Sequence, residues 1–182
     1  MPLHILGIVG SLRKDSVNGA LLRAAVELAP PDVTIEIAHL SGIPPYNQDD
    51  EMNPPQPVAD LKARIRAADG VLFATPEYNY SIPGVLKNAI DWASRPYGDN
   101  AWDGKPVAIM GASPSPLGTA RCQYQLRQSF LYLNVIAVTR PEVMLGNSTQ
   151  RFDADLKLTD EKSREMVARL IGALVALIRA PR

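Results

Sequence analysis

The stretch Leu3-His4-Ile5-Leu6-Gly7-Ile8-Val9-Gly10-Ser11-Leu12-Arg13-Lys14-Asp15-Ser16-Val17-Asn18 decides the fold. Leu3 to Val9 is an apolar run rich in Ile, Leu and Val, the pattern of a strand. Gly10 ends the run and a hydroxyl-rich loop follows. Asn18 to Leu28 then reads as a helix with Leu21, Leu22, Ala25 and Leu28 on one face, stopped by Pro30 and Pro31. Strand, polar loop and helix N-terminus open a βαβ unit. The rest of the chain tells whether the unit repeats.

It does. Strand readings fall at Val33 to Leu40, Val71 to Thr75, Pro106 to Ala112, and a Pro141-interrupted region from Val135 to Met144. Helical spacing falls at Val58 to Ala68, Pro83 to Ala93, Thr119 to Leu133 and Thr159 to Ile178. Five strands alternating with five helices predict an α/β, doubly wound five-stranded parallel sheet with helices on both faces, three layers in all. No repeat, low-complexity tract or linker divides the sequence, so residues 1–182 are expected to form one domain.

Composition narrows the function classes. Lys plus Arg and Asp plus Glu number 19 each, so the basic excess of a nucleic-acid binder is absent. The same balance argues against a dedicated electron carrier, which is often strongly acidic to steer docking. Cys122 is the only cysteine, which rules out an intrachain disulfide and a Cys-rich metal site and points to a reduced, cytoplasmic setting. The opening apolar run is far shorter than a membrane span and lacks a signal peptide's basic start and cleavage site. The C-terminal apolar run from Met166 to Ile178 reads as a docking helix, so membrane insertion is not expected.

In open parallel sheets ligands bind beyond the carboxyl ends of the strands, and three distinctive segments fall there. The first, Gly10 to Asn18, leads into a helix N-terminus, whose free N–H groups and positive dipole end suit an anion. Ser11, Ser16 and Asn18 add neutral donors and Arg13 a forked cation. The spacing is neither that of a Walker loop nor that of a dinucleotide fingerprint, so a monophosphate ester fits better than a triphosphate. The plainer alternative is that Ser16 or Asn18 caps the helix. The second segment is Thr75-Pro76-Glu77-Tyr78-Asn79-Tyr80-Ser81-Ile82-Pro83-Gly84, whose two prolines restrict a loop able to read a planar heterocycle. Glu77 is expected to hydrogen-bond backbone rather than act as a base. The third, Gly111 to Arg121, is a Gly-, Ser- and Pro-marked loop around Ser113.

Together these segments, with Leu86-Lys-Asn-Ala-Ile-Asp-Trp92 and Ala120-Arg-Cys-Gln-Tyr124, closely resemble the NADPH-dependent FMN reductase family, most of all its chromate and quinone reductases. The resemblance runs in order from about Leu3 to Met144. It implies a flavodoxin-like sheet of strand order 2-1-3-4-5, tightly but non-covalently bound FMN, and NAD(P)H as electron donor. By the resemblance, Ser11, Arg13, Ser16, Val17 and Asn18 hold the phosphate, while Pro76, Glu77, Tyr78, Asn79 and Ser113 line the ring. It also implies a homodimer or homotetramer, with Tyr80, Asp91, Arg95, Arg121, Tyr124 and Glu142 at subunit contacts. One departure stands out: Gly118-Thr119-Ala120 replaces the consecutive glycines frequent in the family, and Pro114 and Pro116 stiffen the loop upstream.

The flavin would carry the chemistry, so no catalytic side chain and no metal is expected. Electrons would pass from reduced nicotinamide to a small-molecule acceptor (a quinone, chromate, an azo compound or free flavin) by ping-pong hydride transfer. The rival readings are an electron carrier needing a separate reductase and a regulatory nucleotide-binding domain without flavin. Cys122 is read as a packed thiol, Trp92 as core or interface, and His4 and His39 as surface or edge residues. Trp102 is read as covering the flavin or joining a subunit contact. The Ser41 to Pro57 loop, with its Asp49-Asp50-Glu51 run, is read as a solvated face or an acceptor lid.

Overall fold

Residues alternate faces along each strand, and this sorts the apolar side chains into two cores. The computed structural model describes residues 2–181. Strands β1 (Leu3–Val9), β2 (Val33–Ala38), β3 (Gly70–Ala74), β4 (Pro106–Ala112), β5 (Ile136–Ala137) and β6 (Val143–Leu145) form one parallel sheet. Its order is β2-β1-β3-β4-β5, with β6 also paired to β4. On one face Ile5, Val9, Leu72, Ala74, Ala108 and Met110 pack beneath α1 (Val17–Leu28) and α5 (Glu161–Arg179). On the other, Leu6, Ile8, Val71, Phe73, Val107 and Ile109 meet α2 (Gln56–Ala67), α3 (Gly84–Ala93) and α4 (Ala120–Tyr132).

Strand order and layers match the sequence reading, with one refinement at the far edge. The fifth strand region is two short pieces, β5 and β6, that lie end to end along β4: Pro106 and Val107 pair with β5, and Met110 to Ala112 with β6. Pro141 lies between them, where it cannot donate to a ladder.

Trp102 corrects the sequence reading. Its ring is 1% exposed in the α2–α3–α4 core, 5.7 Å from the Phe73 ring, and its Nε1 donates to the Ile90 carbonyl at 3.1 Å. It neither covers a ligand nor reaches a surface. The Ser41 to Pro57 loop is fastened to α3: Trp92 Nε1 and Asn88 Nδ2 both donate to the Pro44 carbonyl at 2.8 Å, and Tyr46 N donates to Asn88 Oδ1 at 2.7 Å. Among the described residues no helix is long and apolar enough to cross a membrane.

Candidate active site

The order of the strands reverses between β1 and β3, the switch point of the sheet, and the carboxyl ends of β1, β3 and β4 stand side by side. The loops leaving them enclose a cleft of about 290 Å³. Ser11, Arg13, Ser16, Val17 and Asn18 line it from the first loop, Pro76, Glu77 and Tyr78 from the second, and Ala112, Ser113 and Pro114 from the third. Nine of the ten residues expected to contact the cofactor meet here. Asn79 does not line the cleft; it forms the tip of the second loop. Ala112 and Pro114 were not anticipated. Ala112 has no side-chain chemistry to signal it, and contributes through the strand end it occupies.

Ser16 N-caps α1: its Oγ accepts from Gly19 N at 3.2 Å and its carbonyl from Ala20 N at 2.9 Å. Among the described residues the N–H groups of Val17 and Asn18 have no partner, and both residues line the cleft at the helix's positive end. The Asn18 amide is engaged elsewhere, its Nδ2 donating to the Ala112 carbonyl at 2.9 Å and its Oδ1 accepting from Ala112 N at 2.8 Å. What Asn18 offers an anion is therefore chiefly its backbone. Arg13 is exposed at the rim and its N–H donates to Ser11 Oγ at 3.2 Å. Gly10 keeps the first loop close to the second: a Cβ there would lie 2.8 Å from Thr75 Oγ1.

The second loop closes in a two-residue turn, with Tyr78 N donating to the Ser81 carbonyl at 3.2 Å and Ser81 N to the Tyr78 carbonyl at 2.9 Å. Both central residues have positive φ, 51° at Asn79 and 64° at Tyr80. Such turns favour Asn-Gly. Asn tolerates the left-handed region, but Tyr does so at a cost of about 1–2 kcal/mol. The turn is tied to α4. Ser81 Oγ donates to Gln125 Oε1 at 2.5 Å, Gln125 Nε2 to the Tyr80 carbonyl at 3.0 Å, and the Arg121 guanidinium stacks 3.8 Å from the Tyr80 ring centre. Glu77 accepts from the backbone N–H of Cys122 at 3.1 Å and pairs with Arg121 at 3.2 Å.

The third loop is held against β6. Ser113 N donates to the Leu145 carbonyl at 2.9 Å, and Ser148 N to the Ser113 carbonyl at 3.0 Å. Gly118 has φ +62° and sits so close to the Met144 backbone that a Cβ would lie 2.7 Å away, so this glycine is needed where it stands. Thr119, the departure from the family pattern, is fully buried with Oγ1 accepting from Gln123 Nε2 at 3.0 Å. Beneath the loops the Cys122 thiol is buried, and burial pushes its pKa up to about 11. It is a packed, unreactive thiol.

A model of the NADPH-dependent FMN reductases matches residues 3–150. The chain is 50% identical over 178 residues to an NAD(P)H-dependent FMN reductase of Pseudomonas aeruginosa, covering 97% of this chain and 96% of the relative. The chain belongs to the NADPH-dependent FMN reductase family. It is also 41% identical to a 2-hydroxy-1,4-benzoquinone reductase of a Burkholderia species, with 98% of both chains covered. Among solved structures, a flavoenzyme NAD(P)H:(acceptor) oxidoreductase of Paracoccus denitrificans superposes with a TM-score of 0.89 at 40% identity, covering 97% of each chain. An archaeal flavodoxin at 9% identity and a TM-score of 0.65 shares the fold.

Membership makes this an NAD(P)H-dependent oxidoreductase with FMN as its cofactor. The cleft fits that group. Unpartnered N–H groups and serine hydroxyls at the α1 N-terminus suit a phosphate, and Pro76, Glu77 and Tyr78 of the Pro-bounded second loop line the cleft alongside. When bound, the flavin supplies the hydride and electron chemistry, and the protein supplies orientation and electrostatics.

The residues expected at subunit contacts are on the surface but not in one cluster. Tyr80 and Arg121 stack on each other, and Tyr124 borders a groove on α4 shared with Leu131 and Val135. Asp91 and Arg95 border a second hollow with Tyr46 and Tyr132, on the other side of α4. Glu142 is exposed just before β6. Nearby, Tyr97, Leu131 and Tyr132 are more than 70% exposed, Tyr97 beneath the Arg95 guanidinium.

Proposed function

We propose that the protein transfers electrons from NAD(P)H through FMN to quinones, and to other small acceptors of the same reactivity such as chromate, azo compounds and free flavin, within one FMN-binding domain spanning the chain. The single observation that carries this reading is the cleft at the sheet's switch point, where Val17 and Asn18, with unpartnered N–H groups at the α1 N-terminus, line the same space as Pro76 to Tyr78. Ser11, Arg13, Ser16, Val17 and Asn18 hold the phosphate in this reading. Pro76, Glu77, Tyr78, Asn79 and Ser113 surround the ring, with Asn79 acting from the turn tip. The quinone preference is supported by the quinone-reducing relatives at about 40% identity.

The chemistry balances as NAD(P)H plus one proton plus quinone giving NAD(P)⁺ plus hydroquinone. Donor and acceptor use one open face in turn, which makes the kinetics ping-pong. The chain's own part is to bind and orient: backbone N–H groups at the loops and the α1 N-terminus stabilise negative charge as it develops. The exposed apolar face of α4 supports assembly with a second copy, as a dimer or tetramer, and the reduced lone cysteine supports a cytoplasmic home.

The test is anaerobic addition of NADPH to the FMN-loaded protein followed by a quinone. Bleaching of the flavin band and its return on adding quinone is the expected result. A flavin band that ignores both NADPH and NADH would mark an electron carrier instead. Intersecting rather than parallel steady-state lines would overturn the shared face, and light scattering that gives a monomer would overturn assembly.

A further inference from the structure

The first turn of α4 has no cap of its own. Thr119 stands at its N-cap without a side-chain capping bond, its hydroxyl oxygen instead accepting from Gln123. The open N–H of Cys122 in that turn is taken by Glu77 Oε2, at 3.1 Å and from a loop on another strand. The other carboxylate oxygen accepts from Arg121 Nη1 at 3.2 Å, and the Glu77 side chain is only 8% exposed. A negative charge thus sits where the helix end favours one. It is also the residue next to Tyr78 in the wall of the cleft. Beyond it the left-handed Asn79–Tyr80 pair is held by Gln125 through the Tyr80 carbonyl and the Ser81 hydroxyl. A backbone conformation that Tyr disfavours persists where its surroundings over-determine it, and here, beyond the turn's own Tyr78–Ser81 bonds, the holding groups are Arg121 and Gln125 of α4.

We propose that Glu77 is a positioning residue for the flavin: its carboxylate, held by the α4 N-terminus and Arg121, fixes the turn that walls the ring and offsets the positive charge of Arg121 beside it. This rests on the FMN reading given above. Two consequences separate position from charge. Gln at position 77 keeps an oxygen to accept from the Cys122 N–H, so it preserves the turn while removing the negative charge. Ala removes both. Reduced FMN carries negative charge, so taking the carboxylate away leaves Arg121 and the helix end uncompensated and favours reduction.

The experiment uses the full chain freed of FMN and measures FMN affinity by quenching of flavin fluorescence, then the midpoint potential of the reloaded protein. Glu77→Ala is expected to weaken FMN binding about tenfold or more, and Glu77→Gln by less than about threefold. The midpoint potential of Glu77→Gln is expected to rise, and that of Arg121→Met to fall. Wild-type affinity in Glu77→Ala would overturn the proposal. So would Glu77→Gln binding as weakly as Glu77→Ala, or a potential that does not move in Glu77→Gln. Should Glu77→Ala fail to fold by circular dichroism, Gln125→Ala carries the positional test from the helix side: several-fold weaker FMN supports it, and unchanged affinity overturns it. Failure of the underlying reading shows differently, as wild-type protein that takes up no FMN.

Discussion

The first and second loops line one cleft and are held by different means. The first, Ser11 to Asn18, is closed in part by its neighbours in sequence: Ser16 caps the helix it precedes, through Gly19 three residues on, and Arg13 N turns back on Ser11, while the Asn18 amide reaches across the sheet to Ala112. The second, Pro76 to Ser81, has its two internal turn bonds and otherwise depends on α4, more than 40 residues away, for Glu77, Tyr80 and Ser81 alike. The same contrast runs through the helices. α5 is capped locally, Asp160 accepting from Ser163 N at 2.9 Å, whereas α4 is capped by the distant Glu77. A loop closed by neighbours in sequence forms when its helix forms. A loop closed across the sheet forms only when β3, β4 and α4 are all in place.

The strongest way to break the contrast is to strike where the second loop meets α4. In Gly111→Ala the new Cβ would lie 2.2 Å from Thr119 Oγ1 and 2.4 Å from the Thr75 carbonyl, forcing the β3 end and the α4 N-terminus apart. We expect a loss above about 3 kcal/mol by urea denaturation, with FMN binding abolished. Ser16→Ala should act on the first loop alone. It removes a cap worth about 1 kcal/mol and, in the proposed reading, a hydroxyl at the phosphate. FMN should bind about tenfold more weakly in that variant, while riboflavin, which lacks the phosphate, should bind as before. Equal losses for both flavins would show that Ser16 matters only as a cap.

Asp160→Ala tests the local pattern on α5 without touching the cleft, and its effect should be smaller still. Hydrogen bonds from the Ser163 hydroxyl and N–H hold the Asp160 carboxyl below its ordinary value of about 3.8. Its contribution is therefore complete above that value and fades as pH falls through the lowered one. The stability gap between wild type and Asp160→Ala should be widest near neutrality and narrow below about pH 4. FMN affinity should not change. Last, the Cys122 thiol beneath the second loop should show no reaction with a disulfide reagent at pH 8 in the native state, and one equivalent after unfolding. Native-state reaction would mean that the contact between Glu77 and α4 opens readily.

These differences track what could be read before the structure was known. The alternation of strands and helices was legible because each element announces itself over six or more residues. Two consecutive apolar side chains of β1, Leu6 and Ile5, already imply two opposite cores. The first loop of the cleft was legible as a strand-end segment because strand, hydroxyl loop and helix N-terminus are contiguous. Trp102 was misread because a tryptophan in a loop gives no local sign of the Phe73 ring it will meet. The split of the last strand was hidden for a similar reason: Pro141 showed an interruption, but only pairing with β4 shows that both pieces continue one edge. Gln125 went unnoticed because a polar residue at an unremarkable helical position acquires its role only from Tyr80 and Ser81 opposite.

The sequence by itself determined the parallel α/β architecture, the three loops at the strand ends and, through closely matching motifs, the flavin-reductase family. Those properties are written in short-range patterns of apolar spacing, glycine, proline and hydroxyl groups. Only the tertiary structure decided which helix holds the turn of the second loop, that Glu77 caps α4, that the Asn18 amide is engaged with Ala112, and that Trp102 is core. Each of these depends on which distant segment a side chain meets. Hydrogen bonds and close packing act over a few ångströms in space whatever the separation along the chain, so the folded sheet had to bring the partners together before any of these contacts could exist.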